Sequence, residues 1–346
     1  MKDFSFKAAV LHKLNEPLNL QTICLPEVTQ PGSILVKILC TAICGSQVGE
    51  MLGVKGPDRY LPHLLGHEAL VEVIDSFDSK IVKNGDYAIA HWMKGSGRSG
   101  GSLKYKSGNS QVNAGEIATF SEFALVSENR LTPMEANLVE EFGPELLCTV
   151  GCAYLTAYGV IRNDIGLGNM EQVLLVGGGG VCQAIVILLL SLGVENITII
   201  EQNKNRQGYL VRLGVQSVFE TFDEVRASKK LYTAIAEFTG RPREIELSYQ
   251  SLNKDGVLAL IGVTPVGQKI SLDPMPLHYG QKIVGVYGGG SQPNLDIPKI
   301  LDLLGKNKML IKNLNHEILS LSQINQGIEF VKNALVPGRV VIKMHQ

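Results

Sequence analysis

Val173-Leu174-Leu175-Val176-Gly177-Gly178-Gly179-Gly180-Val181-Cys182 decides the fold. Four apolar residues ahead of a glycine cluster read as a buried strand running into a tight turn. Residues 182–192 read as a helix, and Ile197-Thr198-Ile199-Ile200 reads as the next strand. Glycines between a strand and a helix are the context in which a weak pattern becomes a dinucleotide-binding hypothesis. Gly177 makes the turn, and Gly179 lets the backbone approach a pyrophosphate. Gly180 and Val181 open the helix, whose free N–H groups and positive dipole end favour an anion. The third glycine position of the pattern falls on Cys182, small enough to be tolerated. Glu201 ends the second strand roughly 20 residues on, where a carboxylate can hydrogen-bond ribose hydroxyls and repel a 2′-phosphate. This favours NAD over NADP, although Arg206 is nearby. The competing interpretation is a turn made of glycines for packing alone, with Glu201 a solvated strand end.

Working outward, strand-like runs at 257–263 and 283–287 extend the alternation of strand and helix from about Tyr154 to Gly290. That pattern implies a parallel sheet covered by helices on both faces. Upstream the pattern is all-β. Residues 34–39, 70–73 and 87–90 are short β-branched runs, the last preceded by the turn Asn84-Gly85-Asp86, and they suit a distorted barrel or sandwich. Residues 94–102 are Gly/Ser-rich and basic, a texture continued by Lys104, Lys106 and Gly108. The expectation there is a mobile surface loop, with an anion-gathering loop as the sharper alternative. The tail carries a helix at 323–333 and a last strand at 340–344.

Composition excludes several functions. The 346 residues suffice for two domains, with 45% hydrophobic and 19% charged residues, as in ordinary globular proteins. A net charge of −1 leaves no sequence-wide footprint for nucleic acid or an anionic membrane. The longest apolar run, 184–190, is too short to span a bilayer. The polar start at Met1-Lys2-Asp3-Phe4 lacks the apolar region of a secretory signal. The expected compartment is the cytoplasm, where the six cysteines read as buried thiols or metal ligands.

Cys44-Gly45-Ser46, Gly66-His67-Glu68 and Cys152 follow or precede strand-like segments, and each alone is unremarkable. Cysteines also occur four apart, as Cys40/Cys44 and Cys148/Cys152, so a four-thiolate site is open on spacing alone. The residues around them carry more. Residues 41–46 (TAICGS), 66–69 (GHEA), 118–126 (ATFSEFALV), 151–159 (GCAYLTAYG), the glycine cluster and 338–341 (GRVV) occur in an order that resembles the zinc-containing medium-chain alcohol dehydrogenases over nearly the whole chain.

The resemblance implies a split, GroES-like β-barrel catalytic domain (1–153 and 291–346) around a doubly wound Rossmann domain (154–290). It implies an oxidoreductase passing hydride between NAD(H) and an alcohol or carbonyl compound, whether a simple alcohol, a polyol or a sugar derivative. By position it places the catalytic zinc ligands on Cys44, His67 and Cys152, a donor set that leaves a fourth position open. Glu68 matches a carboxylate behind the metal, and Ser46 the hydroxyl that takes the substrate proton. Thr156 matches a residue near the nicotinamide, and Arg339 a pyrophosphate contact. A homodimer or homotetramer is implied, with edge strands such as 283–287 pairing across a two-fold axis.

Three departures qualify the match. The stretch 92–115 has no cysteine, so no structural zinc is expected and the metal count is one per chain. Gln47 stands where the family often has Asp, and its neutral amide oxygen would have to orient the His67 ring. Gly49 stands where some members carry a proton-relay histidine. The loop and core histidines His63, His91 and His278 are poor substitutes. The alternatives that remain are a zinc-free reductase of enones or quinones, which has no need of Cys44, His67 and Cys152 together, and a non-catalytic nucleotide-binding protein.

Overall fold

The computed structural model describes residues 4–26, 30–166, 168 and 170–344; Met1, Lys2 and Asp3 of the polar start lie outside them. Three sheets organise the described residues. The first is a closed barrel of Ser5–Leu11, Asn19–Cys24, Leu103–Ser107, Ser110–Ala114 and His63–Leu64. The second is built on the long strand Ser33–Ile43, flanked by Ala69–Asp75, Phe123–Ser127 and the C-terminal strand Arg339–Lys343. The tail thus returns to the N-terminal half: Val340 to Lys343 pair antiparallel with Ile43 to Cys40.

The third sheet is wholly parallel, in the order Ser217–Phe219, Ile197–Ile200, Val173–Val176, Tyr232–Glu237, Leu252–Leu260, Lys282–Gly285. Val173–Val176 and Ile197–Ile200 are buried at every position, as expected for strands covered on both faces. The chain starts at the centre of this sheet, moves to one edge and crosses back to build the other half. That reversal opens a crevice at the carboxyl ends of Val173–Val176 and Tyr232–Glu237.

Several boundaries differ from the sequence reading. The run expected at 257–263 is the strand Leu252–Leu260, and the one expected at 283–287 is Lys282–Gly285, followed by a short turn at Gly288–Gly290. Tyr232–Glu237 was not anticipated. The tail helix is Ile324–Lys332 and the last strand Arg339–Lys343.

The stretch expected to be a mobile basic loop is neither loop throughout nor loose. Lys104 and Lys106 sit on Leu103–Ser107, which forms a barrel hairpin with Ser110–Ala114 while Leu103 and Tyr105 point inward. Arg98 forms a forked pair with Asp78 at 2.7 and 2.8 Å and donates its backbone N–H to buried Glu128 at 2.8 Å. Gly100 donates to Ser127 Oγ at 2.8 Å. With its guanidinium spent on Asp78 and Glu128, Arg98 does not gather an external anion. Among the described residues, one helical stretch, Pro144–Ile165, is long and apolar enough to cross a membrane; it is mostly buried inside the fold.

Candidate active site

Cys44 follows the strand Ser33–Ile43 and caps the helix Gly45–Met51, its carbonyl accepting from the N–H groups of Gln47 and Val48 at 3.0 and 3.3 Å. His67 and Glu68 precede the strand Ala69–Asp75. Their approach requires Gly66, at φ +93°, where a Cβ would overlap Thr119 Oγ1 and come within 2.7 Å of Phe120 N. Cys152 lies in a π-turn, Val150–Tyr154, of the kind that re-aims a side chain at functional sites. Gly151 packs that turn against the Ala90 carbonyl so closely that no Cβ fits.

These elements bring the ligand atoms of Cys44, His67, Glu68 and Cys152 within 4.8 Å of one another. Both cysteines and Glu68 are buried, and His67 Nε2 is buried without a hydrogen-bond partner. A hydrogen bond from the Cys152 thiol, and then the His67 ring, hold Cys44 well below the usual thiol range despite burial. Cys152 is correspondingly pushed up, first by that same contact with Cys44 and then by burial. Burial works against a charged His67, but the Cys44 sulfur beside it raises the ring above its ordinary value. Two thiols sharing a proton next to an orphaned imidazole nitrogen form a set that a borderline-soft cation takes over by displacing the proton. The residues therefore fit zinc. The four-thiolate alternative is overturned: Cys148 lies beside Cys40 and donates to Glu145 O at 3.3 Å, apart from this cluster.

Ser46 Oγ lies 3.3 Å from Cys44 Sγ, at the mouth of the cluster. Gln47 does not orient the His67 ring as expected. Its Oε1 accepts from Gly66 N–H, and its Nε2 faces Glu50 Oε2 at 3.4 Å. The amide is spent on the backbone ahead of the histidine, because Gly66 brings that N–H within its reach. Glu68 Oε1 pairs with Arg339 Nη2. Burial lifts Glu68 to about 7, with Arg339 pulling it back. Arg339 reaches this pair from beneath the helix Gly180–Ser191, where a Cβ on Gly180 would come within 2.5 Å of its Cδ. One guanidinium thus joins the carboxylate behind the metal cluster to the start of the glycine-loop helix.

A cleft of about 1000 Å³ lies between the two halves. Cys44, Ser46, His67 and Cys152 line one wall, with Thr156 at its floor, while Gly179, Gly180, Val181 and Arg339 line the other. Gly177 and Glu201 lie behind this surface rather than on it. Gly177, at φ +99°, makes the turn, and Glu201 accepts from Gly178 N–H and Asn203 N–H, each at 2.7 Å. Sequence reasoning missed the rest of this wall of the cleft. Phe238, Thr239, Gly240 and Arg241 line the cleft after the unanticipated strand Tyr232–Glu237. Fully buried Glu237 fixes that turn by accepting from Thr239 N–H at 2.6 Å and Gly240 N–H at 3.0 Å. The alternation in 232–237 (YTAIAE) was the available signal. Trp92 and Tyr287 also face the cleft, in edge contact at 5.0 Å.

Two family models match the chain: the alcohol dehydrogenase GroES-like domain over residues 30–136, and the zinc-binding dehydrogenase over 180–306. Alcohol dehydrogenase 6 of Peromyscus maniculatus is 23% identical, over 94% of this chain and 95% of its own. The solved structure of benzyl alcohol dehydrogenase from Acinetobacter calcoaceticus superposes with a TM-score of 0.84 at 19% identity, covering 99% of both chains. Acetophenone reductase from Geotrichum candidum, solved in complex with NAD, gives a TM-score of 0.77 at 19% identity, over 98% of this chain and 97% of its own.

Proposed function

This chain belongs to the zinc-containing medium-chain alcohol dehydrogenase family, and from that premise we propose that it interconverts an alcohol and a carbonyl compound with NAD(H) and one catalytic zinc per chain, held by Cys44, His67 and Cys152. The observation that carries this reading is the buried, unpartnered His67 Nε2 converging with two thiols on the cleft wall. A zinc-free reductase leaves that nitrogen without a partner, so that reading is not favoured.

When bound, zinc acts as a Lewis acid on the substrate oxygen and the nicotinamide exchanges the hydride. The chain supplies position and charge. Cys44, His67 and Cys152 would hold the metal from the cleft wall, a donor set that leaves room for a substrate oxygen. Ser46, beside Cys44, takes the proton of the substrate hydroxyl in oxidation and returns it in reduction. Thr156 bounds the nicotinamide position, and the free N–H groups at Gly179, Gly180 and Val181 receive the pyrophosphate. Arg339 adds a fixed positive charge there while neutralising Glu68. Glu201, already bonded to the loop through Gly178, offers its remaining lone pairs to ribose hydroxyls and favours NAD over NADP. Trp92 and Tyr287 give the substrate side an aromatic wall.

The parallel-sheet unit, 154–290, carries the nucleotide, and 1–153 with 291–346 carry the metal. The edge strand Lys282–Gly285 pairs on one side only and suits a two-fold homo-oligomer. Six free cysteines fit the reducing cytoplasm. The test is NADH formation at 340 nm with benzyl alcohol and 2,3-butanediol as probes. Turnover that stops on chelation and returns with zinc is expected; turnover indifferent to zinc contradicts the assignment.

A further inference from the structure

Oxidising an alcohol releases one proton for each hydride transferred, and Ser46 can only pass that proton on. Among the described residues lining the cleft, Glu50 is the only carboxylate. It stands four residues beyond Ser46 in the helix Gly45–Met51, and side chains at that spacing lie one above the other on the same helix face. Behind it buried His63 pairs with half-buried Asp58. His63 Nε2 lies 2.7 Å from Asp58 Oδ2, and His63 Nδ1 lies 2.9 Å from Leu64 O. A carbonyl only accepts, so Nδ1 carries a hydrogen, and the 2.7 Å contact of Nε2 with a carboxylate oxygen holds a second proton between them. Asp58 is itself held by Tyr60 N–H at 2.8 Å. The ligand-type atoms of Glu50, Asp58 and His63 all fall within 4.8 Å of one another, a span that one water bridges.

We propose that Glu50, backed by the His63–Asp58 pair, is the proton exit of the active site. The inference rests on the function proposed above. In oxidation the carbinol carbon loses a hydride, with its electron pair, to NAD. The hydroxyl proton passes to Ser46 Oγ, which gives up its own through cleft water to the Glu50 carboxylate. Glu50 passes the proton through that water to the Asp58 carboxylate, which His63 Nε2 steadies, and bulk water collects it from there. No other oxidant or reductant is required. Lys55 lies on the loop that follows the Glu50 helix, and Lys332 on the helix Ile324–Lys332 is paired with Glu329 at 3.3 Å. Arg241 faces Glu50 across the cleft, and Arg339 is committed to Glu68. On the loop packed against the end of the Glu50 helix, Lys13 and Glu16 neutralise each other at 2.8 Å.

The test compares zinc-loaded wild type with Glu50→Gln and Asp58→Asn, using benzyl alcohol and NAD. Glu50→Gln is expected to keep one zinc per chain and wild-type NADH affinity while oxidation kcat falls roughly a hundredfold. The acidic limb of the kcat profile should disappear, and added imidazole should restore part of the rate. Asp58→Asn should shift that limb with a smaller loss. Independently of turnover, ¹⁵N NMR should show the His63 titration midpoint moving in Glu50→Gln. Wild-type turnover with an unchanged rate and pH profile in Glu50→Gln, or an unmoved His63 titration, overturns the relay. A wild type that holds zinc and NAD but oxidises neither benzyl alcohol nor 2,3-butanediol overturns the function on which it rests.

Discussion

Gln47 carries a consequence that its chemistry alone did not reveal. Its side-chain oxygen takes the Gly66 N–H directly ahead of His67, so it braces His67 through the backbone rather than through the ring. Gln47→Ala would leave that buried N–H unpaired, at a cost of about 1–3 kcal/mol. Zinc affinity, measured by competition with a chromophoric chelator, should fall roughly tenfold. Unchanged affinity would show that the Gly66 turn holds itself. The convergence of Cys44, His67 and Cys152 was legible because short motifs surround each of them. The Glu68–Arg339 pair was not legible, since its partners lie 271 residues apart and meet only when the tail strand returns to Ser33–Ile43. The expectation that Gln47 faces the imidazole failed for a local reason: the positive-φ turn at Gly66 offers a nearer donor.

At the scale of elements, Glu128 secures the segment that composition suggested was mobile. Its buried carboxylate accepts from Ser79 Oγ at 2.6 Å and from the N–H groups of Arg98 and Lys80 at 2.8 and 3.2 Å. Those bonds, with Arg98 alongside, hold the carboxyl below its usual value although burial opposes this. Glu128→Ala should cost about 3 kcal/mol by stranding these donors, read as a lower urea midpoint with zinc content unchanged. A midpoint within error of wild type would return residues 94–102 to a loosely attached loop. Gly/Ser richness is a statement about average chains, and here specific donors outweigh it. The hairpin beyond it was masked because Lys104 and Lys106 point outward, while Leu103 and Tyr105 carry the two-residue period that marks a strand. The parallel sheet was easier to read, since Val173–Val176 is wholly apolar and Ile197–Ile200 nearly so, though Tyr232–Glu237 hid behind its alanines.

At the scale of the molecule, two buried imidazoles tie stability to pH. His91, hydrogen-bonded to Met93 O and Thr132 Oγ1, is lowered to about 4, chiefly by burial; His316 is lowered to about 4 for the same reason, helped by Arg339. Each takes up its proton more readily in the unfolded chain, near 6.5. Stability from this source is therefore complete above that pH and is lost as pH falls from 6.5 towards 4. For His91 the contribution is roughly 3 kcal/mol. The urea midpoint should drop across this window, and His91→Gln should flatten the drop; a flat wild-type profile contradicts the burial argument.

The two halves of the molecule meet at the cleft, where the metal cluster faces the glycine-loop helix. The central claim is that Cys44, His67 and Cys152 form one zinc site, and the most direct test is metal content by plasma mass spectrometry on protein purified without chelators. One zinc per chain is predicted, lost in Cys152→Ser while the variant still binds NADH. No zinc after reconstitution, or zinc retained in full by Cys152→Ser, would contradict the account.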